Sequence, residues 1–245
     1  PGSMIELDAV TFDDFDFWPA DMFVDDDRLV VIGSSHSQIY EAQPIFRQPL
    51  HDYGYYGSIT KVYIFDISDR ANVQLLRELD FEGSYSNSRK VDEMVYLVMN
   101  KQSDFYTFSE DWTERDVVPL YSDSVSGATL PVAGCGEVLY PPGIESTQYL
   151  IVAGIPVDDP SSDISKQVVL GSSGNVYASR DNLYVAEYDS WSWWELDSEE
   201  TAIHKFGLAR SGIEYLGKGQ VPGRILNQFS MDEYDGFFRI ATTLG

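Results

Sequence analysis

The stretch DMFVDDDRLVVIG, residues 21–33, indicates how this chain folds. A short segment with Phe and Val is followed by three acidic residues and then by a run of Leu, Val and Ile that ends at Gly33. Apolar and β-branched residues on both sides of a compact Asp-rich segment are typical of two antiparallel strands joined by a tight turn. The stretch therefore predicts a β-hairpin.

The same arrangement recurs along the chain. Each copy opens with a polar strand, passes through a tight turn into an apolar strand, and adds two further strands before a glycine. Three copies cover residues 21–80, 84–171 and 175–219, and a partial fourth covers residues 226–245. Repeated four-stranded meanders are typical of a propeller, because each blade buries its faces against its neighbours. We predict an all-β, β-propeller-type fold of about three and a half blades, as a partial or small propeller, with a β-sandwich as the alternative.

Length and composition agree with one folded domain. The chain has 245 residues, of which 43% are hydrophobic and 14% aromatic, and this is ample for a packed core. The first four residues, PGSM, resemble a cloning remnant, so we expect the domain to span residues 5–245. Any signal peptide would precede that segment, and residues 5–10 are expected to add one more strand.

The charge balance argues against two classes of partner. With 40 acidic and 16 basic residues the formal net charge is -24, whereas a nucleic-acid binder needs basic groups to neutralise phosphates. No uninterrupted apolar run approaches the roughly 20 residues of a membrane helix. The single cysteine, Cys135, excludes a disulfide framework within the chain and a cysteine-rich metal site. We therefore expect no nucleic-acid partner, no membrane insertion and no cofactor.

The C-terminal part carries the most distinctive motifs. They are TAIHKF at 201–206, GQVPG at 219–223, LNQFSMDEYDG at 226–236 and RIATT at 239–243. These motifs resemble a family of secreted bacterial and archaeal proteins with a C-terminal β-propeller domain distantly similar to WD-repeat propellers. The resemblance implies the fold and an extracellular or cell-surface location, and it implies no activity. It also implies that the chain corresponds to part of the family's domain.

Polar residues on the opening strands are predicted to line the central channel of the propeller. They are Arg89, Arg180, Asn227, Gln228, Ser230, Asp232 and Glu233. Fixed charges in a channel could hold a ligand or ion, or they could bridge neighbouring blades and fix their register. The pair Ser-Arg occurs at residues 88–89 and again at residues 179–180, and this recurrence favours a structural role repeated in each blade.

Three insertions interrupt the meanders, at residues 34–58, 100–146 and 189–200. Extra residues in repeat proteins usually emerge as loops on one face. Aromatic residues cluster in the first and last insertions, as Tyr53, Tyr55, Tyr56, Trp191, Trp193 and Trp194. Flat aromatic rings make good contacts with sugars and protein partners, so we predict that these loops form a binding surface. The alternative is that they fold back over a blade edge.

Metal and catalytic motifs are less distinctive. Asp158, Asp159 and Asp163 offer closely spaced oxygens of the kind that Ca²⁺ takes, but the glycine and terminal glutamate of an EF-hand loop are missing, and a solvated turn is the alternative. The three histidines show no metal-binding spacing, and GSSGN at residues 171–175 departs from the nucleophile-elbow pattern at its last position. His204 lies in the middle of a predicted strand and is interpreted as a packing residue.

These observations favour a non-catalytic extracellular scaffold that binds a protein or glycan partner through its insertion loops. A glycan-binding or glycan-hydrolysing propeller is the first alternative, and a structural module of a larger surface protein is the second. A partial ring would leave an apolar face and an unpaired strand edge at each end, which soluble proteins avoid. Either the strand expected at residues 5–10 completes the last blade and closes a small ring, or two chains associate through their open blade edges, and we expect association.

Overall fold

A computed structural model describes most of the chain. The described residues are 5–12, 16–36, 58–102, 117–141, 148–188 and 200–244. Their regular structure is almost entirely strand, with short 3₁₀ turns at Cys135–Glu137 and Gln228–Ser230. None of the helical turns in these ranges has the length or the apolar character needed to cross a membrane.

Sixteen strands are present in the described ranges. In chain order they are β1 (Trp18–Asp25), β2 (Arg28–Ser35), β3 (Ile59–Asp66), β4 (Gln74–Glu82), β5 (Ser84–Val91), β6 (Met94–Gln102), β7 (Leu120–Asp123), β8 (Ala128–Pro131), β9 (Gln148–Pro156), β10 (Ser165–Leu170), β11 (Asn175–Ala178), β12 (Asn182–Tyr188), β13 (Glu200–Ala209), β14 (Gly212–Pro222), β15 (Met231–Tyr234) and β16 (Phe237–Ile240). Neighbouring strands pair antiparallel throughout.

The strands form three sheets and a hairpin. The first sheet has the order β1-β2-β3-β4 and continues into β7 and β8. The second sheet has the order β5-β6-β9-β10, and the third has the order β11-β12-β13-β14. The terminal hairpin consists of β15 and β16. Repeated four-stranded antiparallel meanders confirm the predicted all-β, propeller-type fold class.

Aspartate side chains explain the acidic turns between the first two strands. Asp26, Asp92 and Asp235 have φ values of 47°, 48° and 51°, in the left-handed region that few side chains tolerate. Asp and Asn are favoured there, and such turns match the twist of the strands that they connect. The local sequence thus fixes three of the hairpins.

A threonine–glycine contact recurs where the chain passes from one sheet to the next. The Thr60 hydroxyl donates to the carbonyl of Gly83 at 2.8 Å, and the Thr201 hydroxyl donates to the carbonyl of Gly223 at 2.6 Å. Both glycines have positive φ, 141° at Gly83 and 85° at Gly223, so the crossover needs residues without a side chain. Gly83 follows the first copy of the sequence repeat, and Gly223 follows the third.

Two apolar clusters lie between the sheets. The cluster between the first and second sheets includes Val30, Ile32, Val62, Ile64, Leu79, Phe81, Val95, Leu97, Met99, Ile151 and Ile155. The cluster between the second and third sheets includes Val98, Leu150, Val152, Val169, Val176, Leu183, Val185 and Phe206. The second sheet therefore contributes to both clusters, with alternate residues of its strands facing opposite sides.

The insertion at residues 100–146 contains more structure than the sequence predicted. Its hairpin β7–β8 returns to the first sheet, where Leu79, Asp80 and Phe81 pair with Asp123, Ser122 and Tyr121. The expectation of a simple loop was therefore wrong for this part. The added hairpin covers the outer edge of β4, which would otherwise expose unpaired backbone groups.

Both ends of the chain also differ from the expectation. Residues 5–10 form no strand, and Val10 and Phe12 instead pack against the outer face of the first sheet. Near the other end, residues 228–230 form a 3₁₀ turn, so the last opening strand begins only at Met231.

Candidate functional site

The turns that join the first two strands of each sheet lie on one side of the stack, here termed the turn face. The Lys90 ammonium lies 3.1 Å from the Asp25 carboxylate and joins the first and second sheets there. Arg180 lies 3.3 Å from Asp92 and joins the second and third sheets in the same way. Because antiparallel strands alternate in direction, the connections after β2, β6 and β12 leave on the opposite side, here termed the insertion face.

The long insertions of the sequence are these three connections. Ser35 pairs with Ile59 at the first, and Gln102 pairs with Gln148 at the second, so the flanking strands end side by side. The third connection leaves β12 beside the start of β13. The predicted aromatic contact residues lie within these connections, outside the described residues: Tyr53, Tyr55, Tyr56, Trp191, Trp193 and Trp194.

A polar cluster links the opening strands of the first and second sheets. The hydroxyls of Ser88 and Tyr85 donate to the same carboxylate oxygen of Asp21, at 2.6 Å and 3.3 Å. The two hydroxyls are 2.9 Å apart. Burial is the largest effect on the Tyr85 hydroxyl and raises its pKa, and the neighbouring Asp21 carboxylate acts in the same direction. Adjacent inner strands are thereby held in register.

Arg89 holds the opening strands of the second and third sheets together by hydrogen bonds. Its guanidinium donates to the backbone carbonyl of Val176 at 3.0 Å and to that of Ser88 at 2.7 Å. It also donates to the side-chain oxygen of Gln228, just before the terminal hairpin. One side chain therefore touches three successive repeats, and its donors are directed at protein acceptors.

Arg180 occupies a different kind of position. Its side chain is 77% exposed, and it lies in the turn between β11 and β12 rather than in a strand. The two Ser-Arg pairs are therefore not equivalent in structure, although both arginines link the second and third sheets. A structural role of the pair in each blade stays a prediction, because the two arginines occupy different positions in their repeats.

The predicted C-terminal polar residues hold the terminal hairpin in place. Asn227 caps the 3₁₀ turn by accepting from the Phe229 amide, and the Ser230 carbonyl accepts from the Ala241 amide. Asp232 pairs with Arg239 across the hairpin at 2.8 Å.

Glu233 joins the hairpin to the third sheet. Its carboxylate accepts from the Ser179 hydroxyl at 2.6 Å and from the Asn182 amide at 3.0 Å. Burial alone would raise the pKa of Glu233, but these hydrogen bonds outweigh it and lower the pKa. The residue therefore acts as an anchor for β15 on β11 and β12.

A buried arginine that links the first sheet to its neighbours was not predicted from the sequence. Arg77, on β4, has a side chain that is 2% exposed. Its guanidinium contacts both carboxylate oxygens of Asp123, at 3.1 Å and 2.6 Å, and donates to the carbonyls of Pro160 and Ser162 at 2.8 Å and 2.7 Å. It thus connects β4, the added hairpin and the second sheet.

His204 is buried as predicted from its mid-strand position, but it also belongs to a polar chain. Its Nε2 lies 3.3 Å from the Glu187 carboxylate, and its Nδ1 lies 3.1 Å from the Tyr215 hydroxyl. Glu187 in turn accepts from the amide and hydroxyl of Ser172, at 2.9 Å and 2.6 Å. A neutral imidazole in this chain donates from Nε2 to the carboxylate and accepts the tyrosine proton at Nδ1.

The environment of this chain shifts two pKa values. Burial would raise the pKa of Glu187, but hydrogen bonds from His204 and Ser172 lower it. Burial raises the pKa of Tyr215 to about 12. Both shifts favour the ionised glutamate and the neutral tyrosine that the hydrogen bonds require.

The suggested cation site lies in the turn between β9 and β10. Asp159 accepts from the hydroxyls of Ser161 and Ser162 at 2.6 Å and 2.7 Å, which lowers its pKa. Asp158 pairs with Arg210 at 2.5 Å, and Asp163 follows the turn. Within the part of the chain that the structure describes, no group of three or more His, Cys, Asp or Glu side chains is arranged to hold a metal ion.

Comparisons with known proteins agree with the architecture. A family model described as a β-propeller domain matches residues 2–245. An uncharacterized protein of Archaeoglobus fulgidus is 40% identical over 73 residues, which are 27% of this chain and 11% of the relative. An uncharacterized protein of Methanocaldococcus jannaschii is 44% identical over 52 residues, which are 21% of this chain and 8% of the relative. The chain thus matches a small part of each relative, and no solved structure matches it.

Proposed function

Because the chain belongs to the β-propeller domain family, we propose that it is a non-catalytic binding scaffold whose contact surface is the insertion face. One observation supports this proposal: the three long connections, after β2, β6 and β12, all leave the sheets on that face. Loops on a rigid framework are where binding residues are concentrated in proteins of many folds. Following the family resemblance, we place this scaffold outside the cell or at its surface.

The framework beneath the insertion face is suited to hold loops in fixed positions. β3 and β9 are buried along almost their whole length, and these strands begin where the first two insertions end. Their neighbours are buried at residues 30–33 of β2 and at residues 94–99 of β6. A loop anchored on two such strands loses less conformational entropy on binding than a free segment does.

The chemistry of the insertions favours a protein or glycan partner. The Tyr-rich segment at residues 53–56 and the Trp-rich segment at residues 191–194 supply aromatic rings, which bury a large area for few rotatable bonds. The net charge of -24 repels polyanions, so the proposed partner is a neutral or basic protein surface or a neutral glycan.

The shifted carboxyl groups support binding over hydrolysis. A glycosidase needs a general acid whose carboxyl pKa is raised, opposite a second carboxylate. Six described carboxyl groups have a lowered pKa; they are Asp8, Asp66, Asp159, Glu187, Asp232 and Glu233. These groups serve as hydrogen-bond acceptors in turns and between sheets.

A second candidate function is glycan binding in a groove beside β14. The groove has a volume of about 450 Å³ and is lined by residues that include Tyr140, Tyr215, Lys218 and Gln220. Tyr140 is 65% exposed, so its ring is accessible to a sugar. An exposed ring beside amide and ammonium groups is a combination that suits a carbohydrate better than an apolar ligand.

Replacing the two aromatic insertions tests the proposed function. A variant in which short Asn-Gly turns replace residues 36–57 and 189–199 should keep the far-UV circular dichroism of the wild type. Both proteins are then applied to a printed glycan array and a printed protein array. We expect the variant not to bind the array spots that bind the wild type. As a control, Asp25→Asn with Asp158→Asn alters the turn face and should leave binding unchanged.

Binding that survives loop replacement and is lost with Tyr140→Ala would favour the groove beside β14 over the insertion face. Release of shorter sugars from a bound glycan would overturn the non-catalytic assignment.

A further inference from the structure

The groove beside β14 lies between the outer parts of the second and third sheets. One wall consists of Tyr215 and residues 217–220 of β14, and the other consists of residues 139–141. The second wall is attached to β10, because the Leu139 amide donates to the Val168 carbonyl at 3.0 Å. The groove is therefore bounded on both sides by segments that are hydrogen-bonded to a sheet.

A buried polar chain ends at this groove. His204 on β13 is fully buried and lies between Glu187 on β12 and Tyr215 on β14. Tyr215 is partly exposed and lines the groove, whereas Glu187 and His204 are not among the lining residues. The two buried groups can therefore act on a ligand in the groove only through Tyr215.

The protons available to this chain fix the direction of each hydrogen bond. The Ser172 amide and hydroxyl donate to one oxygen of Glu187. The other oxygen of the ionised carboxylate can only accept, so the proton of the neutral imidazole of His204 lies on Nε2. Its Nδ1 then has only a lone pair, and the Tyr215 hydroxyl donates its single proton to it. The Tyr215 oxygen can offer a ligand only its lone pairs.

Burial opposes the reversal of this arrangement. If Tyr215 turned its proton towards a ligand, the Nδ1 lone pair of His204 would lose its donor in a fully buried position. A buried acceptor without a partner is strongly unfavourable. Burial also raises the pKa of Tyr215 to about 12, so the hydroxyl stays protonated at neutral pH. The Tyr215 oxygen is therefore fixed as a hydrogen-bond acceptor.

The other polar groups of the groove complement this acceptor. The ammonium group of Lys218 can only donate, and the side-chain amide of Gln220 both donates and accepts. A carboxylate cannot donate to Tyr215, and an ammonium group cannot accept from Lys218. A hydroxyl does both, and the exposed ring of Tyr140 offers it a flat apolar neighbour. The combination suits a neutral ligand that carries several hydroxyls on an apolar ring.

Building on glycan binding beside β14, we propose that Tyr215 selects neutral sugars by accepting a hydrogen bond from a sugar hydroxyl, with Glu187 and His204 as its positioning residues. This specificity rests on that second candidate function and assigns the selection to one oxygen atom. It also accounts for a buried histidine and glutamate beside the apolar cluster of the second and third sheets, where apolar side chains of similar size often stabilise a fold equally well.

Nuclear magnetic resonance of the intact ¹⁵N-labelled chain tests where the protons lie. The ring signals of His204 are assigned by their loss in His204→Asn. At neutral pH they should show a neutral imidazole that is protonated at Nε2. A purely packing role of His204 would not require this tautomer, whereas positioning of the Tyr215 hydroxyl does.

Calorimetric titration with maltotriose, cellotriose and triacetylchitotriose tests the specificity. We expect at least one of these neutral sugars to bind, and Tyr215→Phe should raise its dissociation constant about tenfold or more, because only the accepting oxygen is removed. His204→Leu should have a similar effect, whereas His204→Asn should retain most of the affinity, since its amide oxygen can still accept from Tyr215. The matched control is Tyr234→Phe, at an exposed tyrosine outside the groove, and should bind as the wild type does.

Far-UV circular dichroism of each variant separates lost binding from unfolding. A sugar whose binding is lost with Tyr140→Ala but is unchanged with Tyr215→Phe would overturn the role of Tyr215 and leave glycan binding in the groove intact. Binding of none of the three sugars, or binding that Tyr140→Ala does not weaken, would overturn both. A His204 ring protonated at Nδ1, or at both nitrogens, would overturn the positioning role, because the Tyr215 proton would then be directed at the ligand.

Discussion

The junction between the first and second sheets differs in kind from the junction between the second and third. The first junction is filled by a broad apolar cluster from strands of both sheets, and Arg77 fixes one rim with four hydrogen bonds. The second junction has a smaller apolar cluster, and His204 lies beside it in a chain of polar side chains. Equivalent positions in a repeat are therefore stabilised by different interactions.

The two junctions therefore contribute unequally to the stability of the fold. The first junction buries the larger apolar cluster, so the first two sheets should behave as one unit. The second junction relies partly on the ionised Glu187 carboxylate, whose contribution changes with protonation. The third sheet and terminal hairpin are thus expected to open before the first two sheets.

The largest effect is expected at Arg77. Arg77→Met leaves Asp123 buried without its partner, and breaking a buried pair in this way costs about 3–5 kcal/mol in the free energy of unfolding. Urea denaturation measures the loss. The double variant with Asp123→Asn should recover at least half of it, because no buried charge then remains. A single variant within about 1 kcal/mol of the wild type would show that the pair does not lock the first junction.

Glu187→Gln probes the second junction, with an expected loss of about 2 kcal/mol at neutral pH, since hydrogen bonds to a charged group are lost. The folded state lowers the Glu187 pKa below its ordinary value of 4.5. Its contribution is therefore fully present above pH 4.5 and is lost as the pH falls through the lowered pKa.

Urea denaturation at a series of pH values should show the difference between wild type and variant shrinking below that value. Glu214→Gln, at an exposed position on β14, is the control and should show no such trend. A constant difference down to strongly acidic pH would mean that the charge of Glu187 does not stabilise the junction.

The smallest effect is expected at Arg180, which crosses the second junction on the turn face. Its pair with Asp92 is exposed, so Arg180→Ala should change the free energy of unfolding by no more than about 0.5 kcal/mol. Arg89→Met crosses the same junction but removes donors from the Val176 carbonyl and Gln228, and should cost about 1–3 kcal/mol. Equal effects of the two substitutions, measured by urea denaturation, would contradict the distinction between them.

Local patterns in the sequence predicted the repeating sheets. The alternation of β-branched residues, the aspartates of the turns and the closing glycines are short-range signals, and they identify strands without knowledge of distant contacts. The hairpin β7–β8 was missed within an insertion, although Leu120-Tyr121 and Thr129-Leu130 flank a turn that ends at Gly127. That signal is short. It would have predicted a hairpin of the first sheet only if the unpaired edge of β4 had been known.

Contacts between distant residues could not be predicted in this way. Arg77 meets Asp123 across 46 positions, through a hairpin that was itself missed. The partners of His204 come from β12 and β14, and only the paired register of the third sheet brings Glu187 and Tyr215 to the two ring nitrogens. The two Ser-Arg pairs differ in position because β11 is shorter than β5, so the second arginine falls in the turn.

Native-state hydrogen exchange, followed peptide by peptide, tests the central comparison most directly. The account predicts that amides of β2, β3, β6 and β9 exchange only by global unfolding, whereas those of β12 and β13 exchange through an earlier opening that becomes easier as the pH falls below 4.5. One exchange free energy shared by all three sheets at every pH, or earlier opening of the first junction, would contradict it.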